Sequence, residues 1–478
     1  MTNRRWNYLR MGVGLVIAII MLSVYASIGT PRAVKPANSQ ESAGVAAPVS
    51  LALPPPPTVL AAALGGAGVV VSWVAHGEAR LEPCGCVAGM HGGLARRAAL
   101  LSRVPASRAL HLECGGWSGG SVDHQVIRAQ AYLEALAAAG VAAVGVGVAE
   151  ASLFPGAADL PGSSAVGLPG SSPARDSPAG DRLRPLISAG PPVVCCNLPG
   201  FTGSVQVERQ GQAFVITSVV PAAIAGAEDP AEAVRRLLPV PAGAKLIVLA
   251  DLDRAGLVAL AESVPGIALV VGGAVDQPTP QPLTAGAARV VHVANHGKTL
   301  GWWPWGGADC AFELITEAVP DHPMIRARIA AYQRRLATLD LAVDHPLAGR
   351  GASLIGDDAC MGCHANAAAI HGVSRHANAY ASLVKKQYQY DPECLRCHVT
   401  GLGASGGFSR RDPVAFARVG CESCHGPGSL HAAERAAGRP ATGSLVPVTP
   451  ATCVQCHDPE NSPKFSYPTY WPRIAHGF

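Results

Sequence analysis

The sequence has almost no excess of charge of either sign. Its 37 Lys and Arg residues are nearly balanced by 33 Asp and Glu residues, so the formal net charge is +4 over 478 residues. Proteins that bind nucleic acid usually carry a strongly basic surface, and nucleic acid is therefore not an expected partner. Aromatic residues are also scarce, at 5% of the chain, but this says little about function. The length exceeds that of one ordinary domain and indicates two folded units.

Cysteine, in contrast, is abundant and is concentrated near the end of the chain. Eight of the 14 cysteines form four copies of the pentad Cys-x-x-Cys-His. In c-type haem attachment, two thiols bond to one porphyrin and the following His ligates its iron. Zinc can also be bound by paired cysteines, but it does not require a His after every pair. Four covalently bound haem c groups are therefore predicted, attached through Cys360, Cys363, Cys394, Cys397, Cys421, Cys424, Cys453 and Cys456.

The sixth ligand of each iron decides what each haem can do. Met361 is the only methionine after residue 350, and it lies inside a pentad, so methionine ligation is set aside. Histidine is more plentiful, and four spare imidazoles allow two histidines for each iron. If one spare His does not ligate, one iron is open and could bind a small molecule. The predicted iron ligands are the proximal His364, His398, His425 and His457 and the distal His371, His376, His431 and His476.

Residues 350–478, which contain all four pentads, are too few to build a large core of side chains. The porphyrins must therefore supply much of the apolar interior. We expect short helices, long loops and little sheet in this mainly α or irregular region, and we expect it to stay unfolded without haem.

The N-terminal residues have the pattern of a secretory signal peptide or a membrane anchor. Arg4, Arg5 and Arg10 precede an uncharged, largely apolar stretch from Met11 to Pro31, which is close to the length that spans a bilayer. Residues 1–31 are assigned to this segment, and residues 32–68, rich in Pro and Ala, to a linker. The rest of the chain is expected to be periplasmic, tethered to the inner membrane if the segment is not cleaved.

Residues 69–320 alternate between strand-like apolar runs and helix-like segments, which predicts a layered α/β domain. Residues 154–192 interrupt this order. They are dense in Pro, Gly and Ser, which predicts a flexible surface insertion. Residues 321–349 carry apolar residues at steps of three and four, as expected for an amphipathic helix that connects the two folded regions.

The C-terminal residues also carry a family resemblance. The segments 393–408, 419–431 and 453–476 resemble the tetrahaem cytochrome c family, whose best-known member takes electrons from hydroxylamine oxidoreductase in nitrifying bacteria. The resemblance implies haems packed in close pairs, most of them with two imidazole ligands, and one iron that can lack a sixth ligand. It does not carry the redox partner over to this chain.

The N-terminal part resembles a second family. Residues 81–103 are similar to exported relatives of the periplasmic 5′-nucleotidases, in the calcineurin-like metallophosphoesterase superfamily, and the likeness extends over about 69–340. It implies a dinuclear metal site, but His76 alone cannot hold two divalent ions, so this domain is predicted to be inactive. The motif positions hold Val74-Ala75-His76 for Asp-x-His, Gly115-Gly116 for Gly-Asp, Gly147-Val148-Ala149-Glu150 for Gly-Asn-His-Glu, and Gly273-Ala274 for Gly-His.

Cys84 and Cys86 of the same domain belong to no pentad. With Cys114, Cys195 or Cys196 they could form disulfides, which an exported protein favours. With the same partners they could bind a metal such as zinc or copper. Both interpretations stay open at this point.

Together these observations predict an exported multihaem c-type cytochrome. It would carry electrons between redox proteins outside the cytoplasm, and it is more an electron carrier than a catalyst. The alternative is a haem enzyme that acts on a small nitrogen or oxygen compound at one five-coordinate haem. A metal-dependent phosphoesterase is the third and least favoured interpretation.

Overall fold

The structure, a computed structural model, describes most of the chain after residue 50. The described residues are 51–83, 90–120, 122–153, 190–273, 281–293, 296–339, 351–410, 415–440, 445–459 and 461–476. The predicted signal or anchor segment and most of the predicted insertion lie outside them. No helix in the described part is long and apolar enough to cross a membrane.

The strands of the described residues form two mixed sheets. The first has the order β12-β11-β1-β2-β3-β4 and the second the order β5-β6-β7-β8-β10-β9. Strands β1 to β4 are parallel neighbours, as are β6, β7, β8 and β10, and strands β5, β9, β11 and β12 pair antiparallel with their neighbours. The strands are β1 (Val70–Val74), β2 (Ala109–Glu113), β3 (Val141–Gly145), β4 (Val193–Val194), β5 (Val205–Arg209), β6 (Gln212–Val219), β7 (Lys245–Ala250), β8 (Ile267–Gly272), β9 (Leu283–Ala285), β10 (Ala288–His292), β11 (Thr299–Pro304) and β12 (Ala311–Leu314).

Helices cover the outer face of each sheet and make up most of the regular structure after residue 320. In the α/β region they are α1 (Thr58–Leu64), α2 (Leu94–Leu101), α3 (Asp123–Ala138), α4 (Val148–Ala151), α5 (Pro230–Arg235), α6 (Arg254–Ser263) and α7 (Pro323–Thr338). Further along they are α8 (Asp358–Met361), α9 (Ala365–Gly372), α10 (Ala379–Lys386), α11 (Pro392–His398), α12 (Cys421–His425), α13 (Ser429–Ala436), α14 (Pro450–Val454) and α15 (Tyr467–Tyr470). Two short 3₁₀ turns lie at His376–Asn378 and Trp471–Arg473.

Strand β1 shows why the sheets stack. All five of its residues are buried, and successive side chains point to opposite faces of a strand. Val71 and Trp73 pack between the two sheets, whereas Val70 and Val74 pack under the helices on the outer face. The second sheet buries its outer face under α5 and α6. The result is a helix–sheet–sheet–helix sandwich, which confirms the predicted layered α/β class.

Part of the predicted linker is instead packed on the first sheet. Helix α1 lies within it, and Leu60 of α1 is fully buried. Arg108 donates hydrogen bonds to the carbonyls of Ala63, Leu64 and Gly68, at 2.7, 3.2 and 2.9 Å. A cation at the end of a helix satisfies carbonyls that have no partner inside it. The end of this segment is therefore held by the burial of Leu60 and by the hydrogen bonds from Arg108.

The C-terminal region is built mainly from short helices and loops, as predicted. The pentad and spacer helices here run for eight residues or fewer. One cluster of buried apolar side chains is present among its described residues, with five members: Leu383, Leu395, Val399, Leu402 and Phe408. Helix α7 is the predicted connecting helix, and it ends at Thr338. The residues from Leu51 to Phe478 form one compact unit, and the domain limits inside it remain predictions.

Candidate haem sites

Each pentad begins inside a short helix or at the first residue of one. Helices α8 and α14 contain Cys360 and Cys453, and α11 and α12 contain the second and third pentads entire. The backbone N–H of His364 donates to the carbonyl of Cys360 at 3.0 Å, and that of His457 to Cys453 at 2.9 Å. One helical turn therefore presents two thiols and an imidazole on the same side. This is the local shape that a single porphyrin requires.

Three proximal histidines lie opposite three spare ones. The ring centres are 6.1 Å apart for His364 and His431, 5.9 Å for His457 and His376, and 5.9 Å for His425 and His476. An imidazole nitrogen lies about 2.0–2.1 Å from a transition metal, so two nitrogens on opposite sides of one ion are about 4 Å apart. The ring centres lie further out on each side. The observed spacing therefore fits an iron between the two rings of each pair.

The remaining two histidines lie apart from these pairs. In the described part of the chain, the ring contacts of the eight histidines leave out His398 and His371. His371 donates from Nε2 to the carbonyl of Val419 at 2.8 Å. That hydrogen bond occupies the nitrogen that would face a metal. His371 as a ligand therefore stays a prediction without geometric support.

Hydrogen bonds at Nδ1 orient several of the rings. Nδ1 of His398 lies 2.8 Å from the carbonyl of Ala379, and Nδ1 of His476 lies 2.9 Å from that of Ile474. A carbonyl can only accept, so Nδ1 must carry the hydrogen, and Nε2 keeps its lone pair for a metal. Nδ1 of His457 similarly lies 2.9 Å from the hydroxyl of Ser462.

For four of the histidines, burial lowers the pKa and so favours the neutral ring, which is the form that binds a metal. Burial, and then the neighbouring His457, lower the pKa of His376 to about 4. Burial is likewise the main cause that lowers the pKa of His398, His425 and His457. The residues present therefore suit a c-type haem at each pentad.

The attachment cysteines of different pentads lie next to one another. The thiols of Cys360 and Cys421 are close enough to share a hydrogen bond, and so are those of Cys397 and Cys456. Cys424 of the third pentad also interacts with Cys453 of the fourth. The thiols thus place the first pentad beside the third and the fourth beside the second, while the third and fourth are near enough for Cys453 to raise the pKa of Cys424.

Two carboxylates hold the first and third pentads together. Glu422, a variable residue of the third pentad that is 2% exposed, accepts backbone N–H groups of Ile355, Gly356 and Gly428 at 2.8 to 3.1 Å. In return, Asp357 accepts the backbone N–H of Cys421 at 2.8 Å. Neither residue was predicted from the sequence. Their position inside or beside a pentad was the available signal.

The α/β region brings its altered motif positions together at the carboxyl ends of the central strands. Nε2 of His76 lies 2.9 Å from Asp251, and the other oxygen of Asp251 accepts the N–H of Val148 at 2.7 Å. The hydrogen bond to Asp251 is the main cause that raises the pKa of His76. Asp251, which follows β7, was not predicted as part of this group.

Glu150 and the glycines fill the rest of this space. Glu150 accepts the N–H groups of Gly116, Gly147 and Ser118 at 2.7 to 2.9 Å. A Cβ at Gly147 would lie 2.6 Å from the nitrogen of Gly116, so the backbone is too close for a larger residue. Among the described residues, no group of three or more His, Cys, Asp or Glu could hold a metal ion.

Comparisons with known proteins bear on the region of the pentads. Residues 359–426 match the family model of cytochrome c554 and c-prime. Cytochrome c-554 of Nitrosomonas europaea is 38% identical over 104 residues, which covers 18% of this chain and 41% of that protein. The chain thus spans about two-fifths of the length of this curated relative. The matches confirm the resemblance to the tetrahaem cytochrome c family and support a multihaem c-type cytochrome in this region.

Several solved structures are similar to part of this chain. A 5′-nucleotidase precursor of Thermus thermophilus is 21% identical with a TM-score of 0.43, covering 61% of this chain and 62% of that one. The sulfate thiohydrolase SoxB of Thermus thermophilus is 17% identical with a TM-score of 0.43, covering 59% and 62%. The NAD nucleotidase of Haemophilus influenzae is 13% identical with a TM-score of 0.42, covering 61% and 64%. This chain spans about three-fifths of each of these structures. These likenesses carry no argument about activity.

The cysteines outside the cytochrome region, residues 350–478, include three candidate partners of Cys84 and Cys86. Cys114, Cys195 and Cys196 are free thiols, and the first two are buried. The disulfide and metal interpretations of Cys84 and Cys86 both stay predictions. Burial raises the pKa of Cys195 to about 11, so its thiol is inert at neutral pH. Cys84 and Cys86 themselves lie outside the described residues.

Proposed function

We propose that residues 350–478 bind four haem c groups and carry electrons between redox proteins outside the cytoplasm. The observation that supports this most directly is the spacing of the three imidazole pairs, at 5.9 to 6.1 Å between ring centres. Two imidazoles on one iron give a low-spin haem without an open position, which suits electron transfer. The family match over residues 359–426 favours the same function.

The contacts between pentads support an electron path with two ends. Cys360 of the first pentad lies beside Cys421 of the third, and Cys456 of the fourth lies beside Cys397 of the second. Since the third and fourth pentads interact through Cys424 and Cys453, the haems would follow one another in the order first, third, fourth, second. Electrons would enter or leave at the haems of the first and second pentads.

The proposed location rests on the N-terminal sequence and on the chemistry of attachment. Arg4, Arg5 and Arg10 followed by the apolar stretch Met11 to Pro31 are typical of export. The donor and acceptor would be redox proteins of the same compartment. An uncleaved segment would keep the protein at the membrane.

Mass spectrometry of the mature protein tests this proposal. The full chain should be produced in cells with the haem-attachment machinery, and its mass should exceed the peptide mass by four covalent haems. The reduced-minus-oxidised spectrum should contain c-type bands. A variant with Cys453 and Cys456 changed to Ser should lose one haem. A bare peptide mass, or bound zinc, would overturn the proposal.

A second candidate function is the binding of a small nitrogen or oxygen compound at the haem of the second pentad. It is favoured by the position of His398 outside the three imidazole pairs and by the hydrogen bond that occupies Nε2 of His371. That haem would be high-spin. Electron paramagnetic resonance should then contain one high-spin signal that disappears when cyanide or nitric oxide is added. Low-spin signals from all four haems would contradict this second function.

A further inference from the structure

A strip of the cytochrome region, residues 388–393, packs on the α/β region at the start of the second pentad. Arg326 of α7 donates from Nη2 to the hydroxyl of Tyr388 at 3.1 Å, and Tyr390 packs against the buried cluster under the first sheet. Arg410 stacks over the ring of Tyr390 at 5.2 Å and donates to the carbonyl of Leu339 at 2.5 Å, just past the end of α7. The two regions are thus joined through side chains on both sides.

Asp391 continues this strip and begins helix α11. Its carboxylate accepts the backbone N–H of Glu393 at 3.1 Å, which caps the helix, and also the side-chain amide of Gln333 in α7 at 3.1 Å. Asp391 and Gln333 are 6% and 5% exposed. A helix whose cap is held by another region has its direction set by that region. Helix α11 carries Cys394, Cys397 and His398.

Glu393, directly before Cys394, is the charged contact of the strip. Its Oε1 accepts hydrogen bonds from Nε2 of His124 at 3.1 Å and from the amide of Gln125 at 3.4 Å, and lies 3.7 Å from Nη1 of Arg128. All three donors belong to α3 of the α/β region. The cytochrome region therefore places a carboxylate in a niche lined by polar and cationic side chains.

The carboxylate of Glu393 stays ionised in this niche. Burial alone would raise the pKa of Glu393, but the hydrogen bond from His124 and the charges of Arg128 and Arg396 together lower it well below the ordinary value. Arg396, one turn further along α11, lies 3.7 Å from the other carboxylate oxygen. A charged group and its counterions therefore lie at the start of the helix that ends in His398.

We propose that Glu393 is a positioning residue through which the α/β region sets the orientation and the reduction potential of the haem bound at Cys394, Cys397 and His398. This inference rests on the proposed function. The rise of 1.5 Å per residue puts Glu393 at ~7.5 Å from His398 along the helix axis. Partly buried charges at such a distance are screened less by water and salt than charges on the surface are.

Variants at the two ends of the contact should shift the midpoint potential of this haem in opposite directions. Glu393→Gln removes a negative charge, which favours the reduced iron, and should raise the midpoint potential. Arg128→Gln removes a positive charge and should lower it. We expect a change of about tenfold in the equilibrium constant for reducing this haem, which is about 59 mV for a one-electron couple. A purely structural contact would not give opposite signs.

The experiment uses the full holoprotein with four haems verified by mass. Spectroelectrochemical titration should resolve four midpoints, one of which rises in Glu393→Gln and falls in Arg128→Gln. His124→Leu, which removes the hydrogen-bond donor, should lower the same midpoint and serves if Arg128→Gln does not fold. Asp358→Asn is the matched control, because Asp358 is an exposed carboxylate that lies two residues before Cys360. It should leave the midpoint of the second pentad's haem unchanged.

Three outcomes would overturn the inference. These are shifts of the same sign in both charge variants, equal shifts of all four midpoints, and no shift in a protein that holds four haems. If the unchanged protein held fewer than four haems, that result would instead contradict the proposed function. The two failures are therefore distinguishable.

Discussion

The α/β region and the cytochrome region differ in what forms their interiors. The α/β region contains three clusters of buried apolar side chains, one between its sheets and one under each outer layer. The cytochrome region has one cluster of five such residues among its described residues, and its rings and thiols face one another instead. One region can therefore fold by burying side chains, whereas we expect the other to need the porphyrins to complete its interior.

The largest expected effect comes from withholding haem. A chain produced without the attachment machinery should keep a protease-resistant α/β region over residues 51–339 and lose all protection over residues 351–476, because the latter then lack a core. Limited proteolysis followed by mass spectrometry measures this, with the holoprotein as the control. A haem-free tail that resists protease would remove the contrast between the two regions.

A buried ion pair tests how far the side chains of the α/β region stabilise it. Arg97 donates to Glu113 at 2.5 Å, and both side chains are almost fully buried. Glu113→Ala leaves an unpaired buried charge and should lower the free energy of unfolding of the α/β region by about 3–5 kcal/mol. Urea denaturation followed by tryptophan fluorescence tests this, while the haem spectrum should not change.

The control for that variant is an exposed pair of the same region. Glu232→Ala removes the partner of Arg235, where both side chains are exposed, and should cost about 0–1 kcal/mol. Equal losses in the two variants would mean that burial does not make the loss of the Arg97–Glu113 pair more costly than the loss of an exposed pair.

Within the cytochrome region, Glu422 tests whether the polypeptide adds to what the haems provide. Glu422→Gln keeps the size and shape of the side chain but removes the negative charge of the carboxylate, which accepts three backbone N–H groups. The midpoint of thermal unfolding, followed by the haem absorption, should fall by an amount equivalent to about 1.5–3 kcal/mol. Asp358→Asn, at an exposed carboxylate near the first pentad, should leave it unchanged. An unchanged midpoint in Glu422→Gln would assign this region's stability to haem alone.

The smallest expected effect is a pH dependence of the α/β region. The folded-state pKa of His76 is raised, mainly by its hydrogen bond to Asp251. Its stabilising contribution is therefore complete below the unfolded value of about 6.5 and is lost as the pH rises through the higher folded value. Urea titrations across this range should show a decline that His76→Gln flattens. An unchanged decline in the variant would attribute it to another group.

The sequence predicted what is local and missed what is distant. Cys421 to His425 carry a complete attachment motif within five consecutive residues, so the motif could be read without a fold. The apolar run of β7 was equally visible, because a strand buried on both faces is continuously apolar. In contrast, Glu422 binds N–H groups of Ile355 and Gly356, which are far away in the chain. The position of Glu422 inside a pentad marks it as a residue of interest, but no sequence pattern indicates its partners.

Two further differences have the same cause. Helix α1 follows a run of four prolines, which read as a linker, but the burial of Leu60 depends on a sheet formed by later residues. The sequence predicted both His371 and His376 as distal ligands. The structure distinguishes them because only the fold brings His376 opposite His457 and His371 beside Val419.

The adjacency of Cys360 to Cys421 and of Cys397 to Cys456 has a consequence for biosynthesis. A tail already collapsed around one pair of thiols would hide them from the enzymes that form the thioether bonds. If haem is attached as proposed, the cofactors would be loaded onto an extended tail that closes only after the last of them is in place. Maturation and folding of residues 350–478 would then be one event, which the preceding region does not need to await.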